Sequence, residues 1–373
     1  MKKNKPIHTL KACAAAAAFL LQVQGADAGT PELGAAVFPA ASWEAAPASS
    51  LDTACRKQLN QARELLQAGP ATALLAVQDG RILFSYGPVD RVSIVESVRK
   101  SILAMLYGRY VADGSVDLDK TLAEIGIDDV GGLLPLERQA RLRDVLAARS
   151  GVYHPAANSG DDTRAAPPRG SQAPGSYFLY NNWDFNAAGG AFEMLTRRNI
   201  YQVFEDELAQ PMQLQDFHRY DPRTDVHRQD GDSTRSRFSP YHFFLSTRDM
   251  ARIGYLMLHK GNWQGKQLVP AQWIESITTP VTVSADMHPA SAVAHRLDYG
   301  YMWWIFDEPP GSPLQGAYMA WGLHGQYILV APARRMVIAL KREVPVMGSW
   351  NVPRVREQAF LAVARTLANA PCQ

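Results

Sequence analysis

The chain has 373 residues, of which 47% are apolar and 20% charged, and a formal net charge of +2. This length suits one large domain or two interleaved ones. No basic tract is interleaved with aromatic residues, so the composition argues against a nucleic-acid partner.

Residues 1–28 read as a secretory signal peptide. Lys2, Lys3, Lys5 and Lys11 lead into the apolar run from Ala12 to Val23, and Ala26-Asp27-Ala28 supplies a small-x-small cleavage site. The run is too short to span a bilayer, and no later run approaches that length. Loss of the leader removes four lysines and Asp27, which takes the formal charge from +2 to −1. The expectation is an exported protein, periplasmic or secreted, that begins near Gly29 and has no membrane span. Its oligomeric state is left open by the sequence.

Residues 29–50, rich in Ala, Pro and Ser, form an extended lead into the fold. Between Leu51 and Ala68, Leu59, Ala62, Leu65 and Leu66 recur at helical spacing. Thr72 to Gln78 and Arg81 to Tyr86 are β-prone runs joined by Asp79-Gly80, a strong hairpin signal. A helix follows from Ser97 through Ile102, Leu103, Met105 and Leu106 to about Tyr110. From about Val111 to Tyr241 the character shifts to helices and long loops, with a helix from Arg141 to Ala148 ended by Ser150-Gly151. Residues 155–175, rich in proline and glycine, and the charged residues 218–240 build no core and are expected to wall a cleft.

Ser246-Thr247-Arg248-Asp249 is a capping signature, continued by Met250, Ile253, Leu256 and Met257 as an amphipathic helix, and a short helix spans Pro270 to Ile277. Strand character returns at Tyr299 to Phe306, Ala317 to Leu323, Gln326 to Val330 and Met336 to Lys341. The chain closes with a helix from about Pro353 to Asn369. This order describes an α+β protein: an antiparallel sheet domain flanked by helices, residues 29–110 and 242–373, with an inserted all-α domain at 111–241.

Ser97 and Lys100 form the one Ser-x-x-Lys of the chain. At helical spacing the hydroxyl and the amine lie side by side, so Lys100 can take the serine proton once burial or a nearby cation lowers its pKa. A serine that opens a helix is ordinarily an N-cap, and a lysine three residues on is ordinarily solvated, so the pair needs context. Tyr180-Asn181-Asn182 is the one Tyr-x-Asn. Tyr180 can relay protons, and Asn182 can hold Lys100 or a substrate carbonyl. Ala320-Trp321-Gly322-Leu323-His324-Gly325-Gln326 joins two strands. Its glycine lets substrate approach the backbone, and the Leu323 amide can form an oxyanion hole with the Ser97 amide. A Tyr/Asn turn and a hairpin turn are the plain alternatives for these two segments.

Together these residues resemble the serine β-lactamase and penicillin-binding-protein family, whose motif set combines Ser-x-x-Lys, a second-domain triplet and Lys-Thr-Gly. The chain is most similar to the class C-type branch, which contains esterases, D-amino-acid peptidases and 6-aminohexanoate-dimer hydrolases. The resemblance extends to Arg143-Asp144-Val145-Leu146, Asp249-Met250-Ala251-Arg252 and Tyr299-Gly300-Tyr301-Met302-Trp303-Trp304. It implies a β-lactamase/transpeptidase-like fold and a serine hydrolase whose catalytic residues are Ser97, Lys100, Tyr180 and Asn182. Ser97 and Leu323 would supply the oxyanion hole, and Trp321, Gly322, His324 and Gly325 would bind a small ester, amide or peptide substrate.

The family fold packs its first and last helices antiparallel on one face of the sheet, which implies a disulfide between Cys55 and Cys372, the two cysteines left after the leader is removed. In one respect the chain departs from the pattern: Ala320 stands where the family often carries a cation that binds a substrate carboxylate. A β-lactamase or D,D-peptidase that uses another cation stays open as an alternative, as does a catalytically idle penicillin-binding-like protein. There is no His-Glu-x-x-His, paired Cys-x-x-Cys or Gly-x-Ser-x-Gly, and the histidines are scattered, so no metal or cofactor is assigned.

Overall fold

Asp79 and Gly80 both take left-handed backbone conformations, with φ of 50° and 79°. That geometry lets a two-residue loop reverse a right-twisted ribbon, as the Asp-Gly pair predicts. The computed structural model describes Met1 and residues 37–158, 165–219, 231–344 and 351–372. The leader expected at 1–28 lies outside these residues apart from Met1, as do parts of the two expected loops. Among the described residues no helix is long and apolar enough to cross a membrane.

The hairpin strands β1 (Ala73–Gln78) and β2 (Arg81–Tyr86) join five later ones: β3 (Leu297–Tyr299), β4 (Trp304–Phe306), β5 (Tyr318–Gly322), β6 (Gln326–Ala331) and β7 (Met336–Lys341). Together they make a seven-stranded antiparallel sheet in the order β2-β1-β7-β6-β5-β4-β3. The last strand docks on the first, with Ala73 opposite Lys341. Both ends of the chain therefore build one sheet, and everything between leaves it and returns.

Tyr299 to Phe306, expected as one strand, is instead the β3–β4 hairpin. Met302 has a φ of 60°, and a Cβ at Gly300 would come 2.3 Å from the Ile277 carbonyl oxygen, so the run bends where only glycine fits. Its unbroken apolar character hid the turn.

The two faces of the sheet take different helices. Helix α1 (Thr53–Gln67) is capped by Asp52, which accepts from the Cys55 amide. It packs with the closing helix, and Cys55 at its start is bonded to Cys372 just past that helix's end, with Cα atoms 4.9 Å apart. In the closing helix (Glu357–Ala368) Phe360 stacks on Tyr327 of β6, ring centroids 4.2 Å apart. The helix Thr247–Leu258, capped by Ser246, packs Gly254 against Ile328 and Val337. Residues 327 and 328 point to opposite faces of a strand, so these two helices cover opposite sides.

Helix α2 (Val98–Ala112) is buried on nearly all sides. It packs on helix α3 (Asn182–Thr196), where Tyr107 donates to the Ala188 carbonyl at 2.7 Å. The helix expected over Arg141 to Ala148 is shorter, Leu142–Leu146, because Ala148 and Gly151 turn left-handed. Phe178–Leu179, just before Tyr180, pairs in parallel with Met287–His288, which brings a later segment beside the Tyr180 motif.

Candidate active site

Ser97 sits at the N-cap position of α2 but does not behave as a cap. Its backbone is right-handed helical, and its side chain makes no capping bond. The hydroxyl instead accepts from Lys100 Nζ at 3.0 Å. One turn of helix sets that distance, as the i, i+3 spacing requires.

Lys100 is 1% exposed. Besides Ser97 it donates to the Tyr180 hydroxyl at 2.7 Å and to Asn182 Oδ1 at 2.9 Å. Three acceptors thus stand around the amine, as many as an ammonium has protons, and they replace hydration lost on burial. The Tyr180 and Phe185 rings complete the enclosure, with centroids 4.2 and 4.4 Å from Nζ. The Tyr-x-Asn run divides its work: Asn181 caps α3 by accepting from the Asp184 amide, which leaves Asn182 at the first helical position to reach Lys100. Tyr180 is held from behind by Trp304, stacked at 5.6 Å.

The approach to Ser97 is constrained. Glu96 has a φ of 51°, an uncommon conformation for a non-glycine residue. Gly322, at the end of β5, comes so close that a Cβ would lie 2.5 Å from the Val95 carbonyl oxygen. A side chain there would separate the β5–β6 turn from the nucleophile. Leu323 follows in that turn, 41% exposed, and lines the cleft together with Ser97, Trp321 and Gly322. Among the described residues neither the Ser97 nor the Leu323 amide donates to a chain acceptor.

His324 and Gly325, expected to bind substrate, do not line the cleft. His324 takes a left-handed φ of 65° that turns its ring inward, where it is 4% exposed with Nδ1 3.3 Å from Glu96 Oε1. Gly325 backs onto Val355. The walls differ from expectation as well. Of residues 155–175 only Asn158 lines the cleft among those described, and the described part of 218–240 contributes none. Residues 288–295 form the wall instead, with His288, Pro289 and His295.

The cleft holds about 310 Å³, the size of a small-molecule site. Trp304 and Trp321, 5.5 Å apart, make one aromatic side with Tyr180. Arg99, Asn158 and His242 line it as well. Sequence reasoning gave no role to Glu96 and Arg99, although charges flanking Ser97 and Lys100 at the head of a mostly apolar helix were a visible signal. Trp304 stood inside a motif of the resemblance but with no site role attached, and residues 288–295 gave no signal, because their place depends on long-range pairing. Among the described residues no group of His, Cys, Asp and Glu is arranged to hold a metal ion.

An antiparallel sheet covered by helices on both faces, with a cleft-lining serine and a buried lysine opening one of those helices, defines a β-lactamase/transpeptidase-like hydrolase class. Residues 60–341 match the Beta-lactamase family model, and the chain belongs to that family. A Bacillus anthracis structure, provisionally assigned as a 6-aminohexanoate-dimer hydrolase, is similar with a TM-score of 0.58 at 17% identity, covering 82% of this chain and 81% of that one. A family VIII carboxylesterase matches with a TM-score of 0.58 at 13% identity, covering 89% and 99%. An uncharacterized protein of Alkalihalophilus pseudofirmus is 30% identical over 103 residues, 25% of this chain and 28% of that protein. The match thus spans little more than a quarter of that relative's length.

Proposed function

We propose that the chain is an exported serine hydrolase that cleaves an ester or amide through an acyl-enzyme on Ser97. The observation that carries this reading is Lys100 Nζ, buried and within hydrogen-bond distance of Ser97, Tyr180 and Asn182 at once.

In acylation Ser97 Oγ bonds to the substrate carbonyl carbon while its proton passes to Lys100 as the neutral amine. The amides of Ser97 and Leu323 hold the developing oxyanion. Tyr180 passes a proton to the leaving oxygen or nitrogen, the bond to it breaks, and an alcohol or amine departs. In the second half water bonds to the acyl carbon and gives its proton to Tyr180 and Lys100, the bond from that carbon to Ser97 Oγ breaks as Oγ takes a proton back, and the carboxylic acid leaves. Asn182 positions Lys100 throughout.

Export is supported by the leader-like residues 1–28 and by the Cys55–Cys372 disulfide, which persists in oxidising compartments. Ala320, fully buried in β5, offers no charge where the resemblance implies a cation, which favours esters and linear amides over penicillins. Intact-mass analysis after incubation with a fluorophosphonate and, separately, a penicillin tests this. Labelling by the fluorophosphonate alone supports the esterase/amidase reading. Labelling by both identifies a penicillin-recognising enzyme, and labelling by neither an idle binding protein.

A further inference from the structure

We propose that Arg99 binds a carboxylate carried by the substrate, so that the enzyme acts on esters or amides with an apolar body and a free acid group. This rests on the serine-hydrolase reading above and names the substrate class of the same cleft.

Arg99 is 2% exposed and sits one residue before Lys100. A guanidinium stays charged in any protein environment, and burying one without a counter-charge is costly. Its surroundings offset little of that cost. Nη2 donates to Asn186 Oδ1 at 2.8 Å, and the guanidinium lies 4.4 Å from the Tyr241 ring centroid. Burial raises the Tyr241 hydroxyl pKa while Arg99 beside it, by its charge and a hydrogen bond, pulls the other way, so Tyr241 is a neutral phenol that brings Arg99 no counter-charge. Among the described residues Arg99 has no ion pair with a carboxylate, and its Nη1 is buried without a hydrogen-bond partner. Arg252, equally buried, shows a more complete structural solution: although its Nε too lacks a partner, its two Nη atoms donate to three backbone carbonyls, those of Met212, Ala40 and Ala41.

Position gives the open valence its use. Among the described residues that line the cleft Arg99 is the one arginine or lysine, and Asn158 and His242 line it too. Asn158 is held in place by Asn186, the residue that also accepts from Arg99. The charge therefore lies on the α3 side, whereas Ala320 lies on the sheet side. A planar fork of donors suits a carboxylate, while Tyr180, Trp304 and Trp321 suit an apolar body.

The test compares kcat/KM for matched pairs of esters in wild type, Arg99→Gln and Arg99→Lys. One pair places the acid on the acyl side, p-nitrophenyl hydrogen glutarate against its methyl ester. The other places it on the leaving group, 3-carboxyphenyl butyrate against 3-carbamoylphenyl butyrate. The expected result is a roughly ten- to a hundredfold preference for the acid in at least one pair, lost in Arg99→Gln and partly restored in Arg99→Lys. No preference in either pair overturns the proposal. So does a loss in Arg99→Gln that is equal for acid and neutral esters, which would make Arg99 a positioning neighbour of Lys100. Fluorophosphonate labelling of each variant keeps the two readings apart. A labelled enzyme without acid preference defeats only the role of Arg99, whereas an unlabelled wild type defeats the hydrolase reading itself.

Discussion

Lys100 and Lys341 are buried to nearly the same degree, 1% and 2% exposed, in regions built for different ends. Lys341, at the end of β7, donates to the backbone carbonyls of Ser93 (2.8 Å) and Leu245. It thereby ties the short Ser93–Ile94 and Phe244–Leu245 pair to the sheet. Lys100 faces two hydroxyls and a side-chain amide. A carbonyl oxygen only accepts, so neither of these two partners exchanges a proton with Lys341. A hydroxyl both accepts and donates, so around Lys100 protons can change owner. Burial of a lysine is thus no sign of chemistry by itself; the partners decide it.

The sharpest way to break this contrast is to remove the proton carriers. Ser97→Ala should lower kcat for a short-chain p-nitrophenyl ester by roughly a thousandfold or more, with Lys100→Ala nearly as damaging and the double variant no worse, because the groups act as one unit. The Ser97 side chain makes no capping bond but is one of the acceptors around buried Lys100, so Ser97→Ala should change stability by no more than about 1–3 kcal/mol and leave the protein folded. Thermal unfolding checks that, and retention of most activity would sink the assignment.

Next in size, Tyr180→Phe keeps the ring and its stacking on Trp304 but removes the relay. Steady-state kinetics should show kcat lower by about 10²–10⁴-fold with KM little changed. A change confined to KM would make Tyr180 a binding residue only.

Lys341→Met sharpens the comparison from the other side. It removes a charge-assisted hydrogen bond from each of two backbone carbonyls, at about 1.5–3 kcal/mol each, so denaturant titration should show lost stability while kcat of the folded protein holds. A loss of kcat as deep as that of Lys100→Ala would erase the distinction.

The smallest effect concerns charge placement. With Ala320 on the sheet side, simple esters should be preferred over penicillins by about ten- to a hundredfold in kcat/KM. The reverse preference would mean that a cation reaches the penicillin carboxylate from elsewhere.

Much of this was legible in the residues because local rules governed it. Asp79-Gly80 fixed the first hairpin, the Ser246 signature began its helix, and the i, i+3 spacing brought Ser97 to Lys100. The Tyr180 motif depended on long-range packing, yet its uniqueness in the chain and the family resemblance pointed to it, and the structure places its hydroxyl 2.7 Å from Lys100. The resemblance likewise implied the Cys55–Cys372 bond. What escaped was set by backbone sign and distant pairing. The left-handed φ of His324 turned a presumed substrate contact inward toward Glu96, and Met302 broke a strand that composition alone left whole. The wall at 288–295 depends on its pairing with Phe178–Leu179, which no local pattern announces.

The central claim is that Ser97 carries the acyl group. Mixing the enzyme with a p-nitrophenyl ester, quenching in acid within the first turnovers, and mapping the digest by mass spectrometry tests it directly. The account predicts a mass increase of one acyl group on the peptide that contains Ser97, absent in Ser97→Ala. An acyl group on a different residue, or ester hydrolysis undiminished in Ser97→Ala with no adduct, would contradict it.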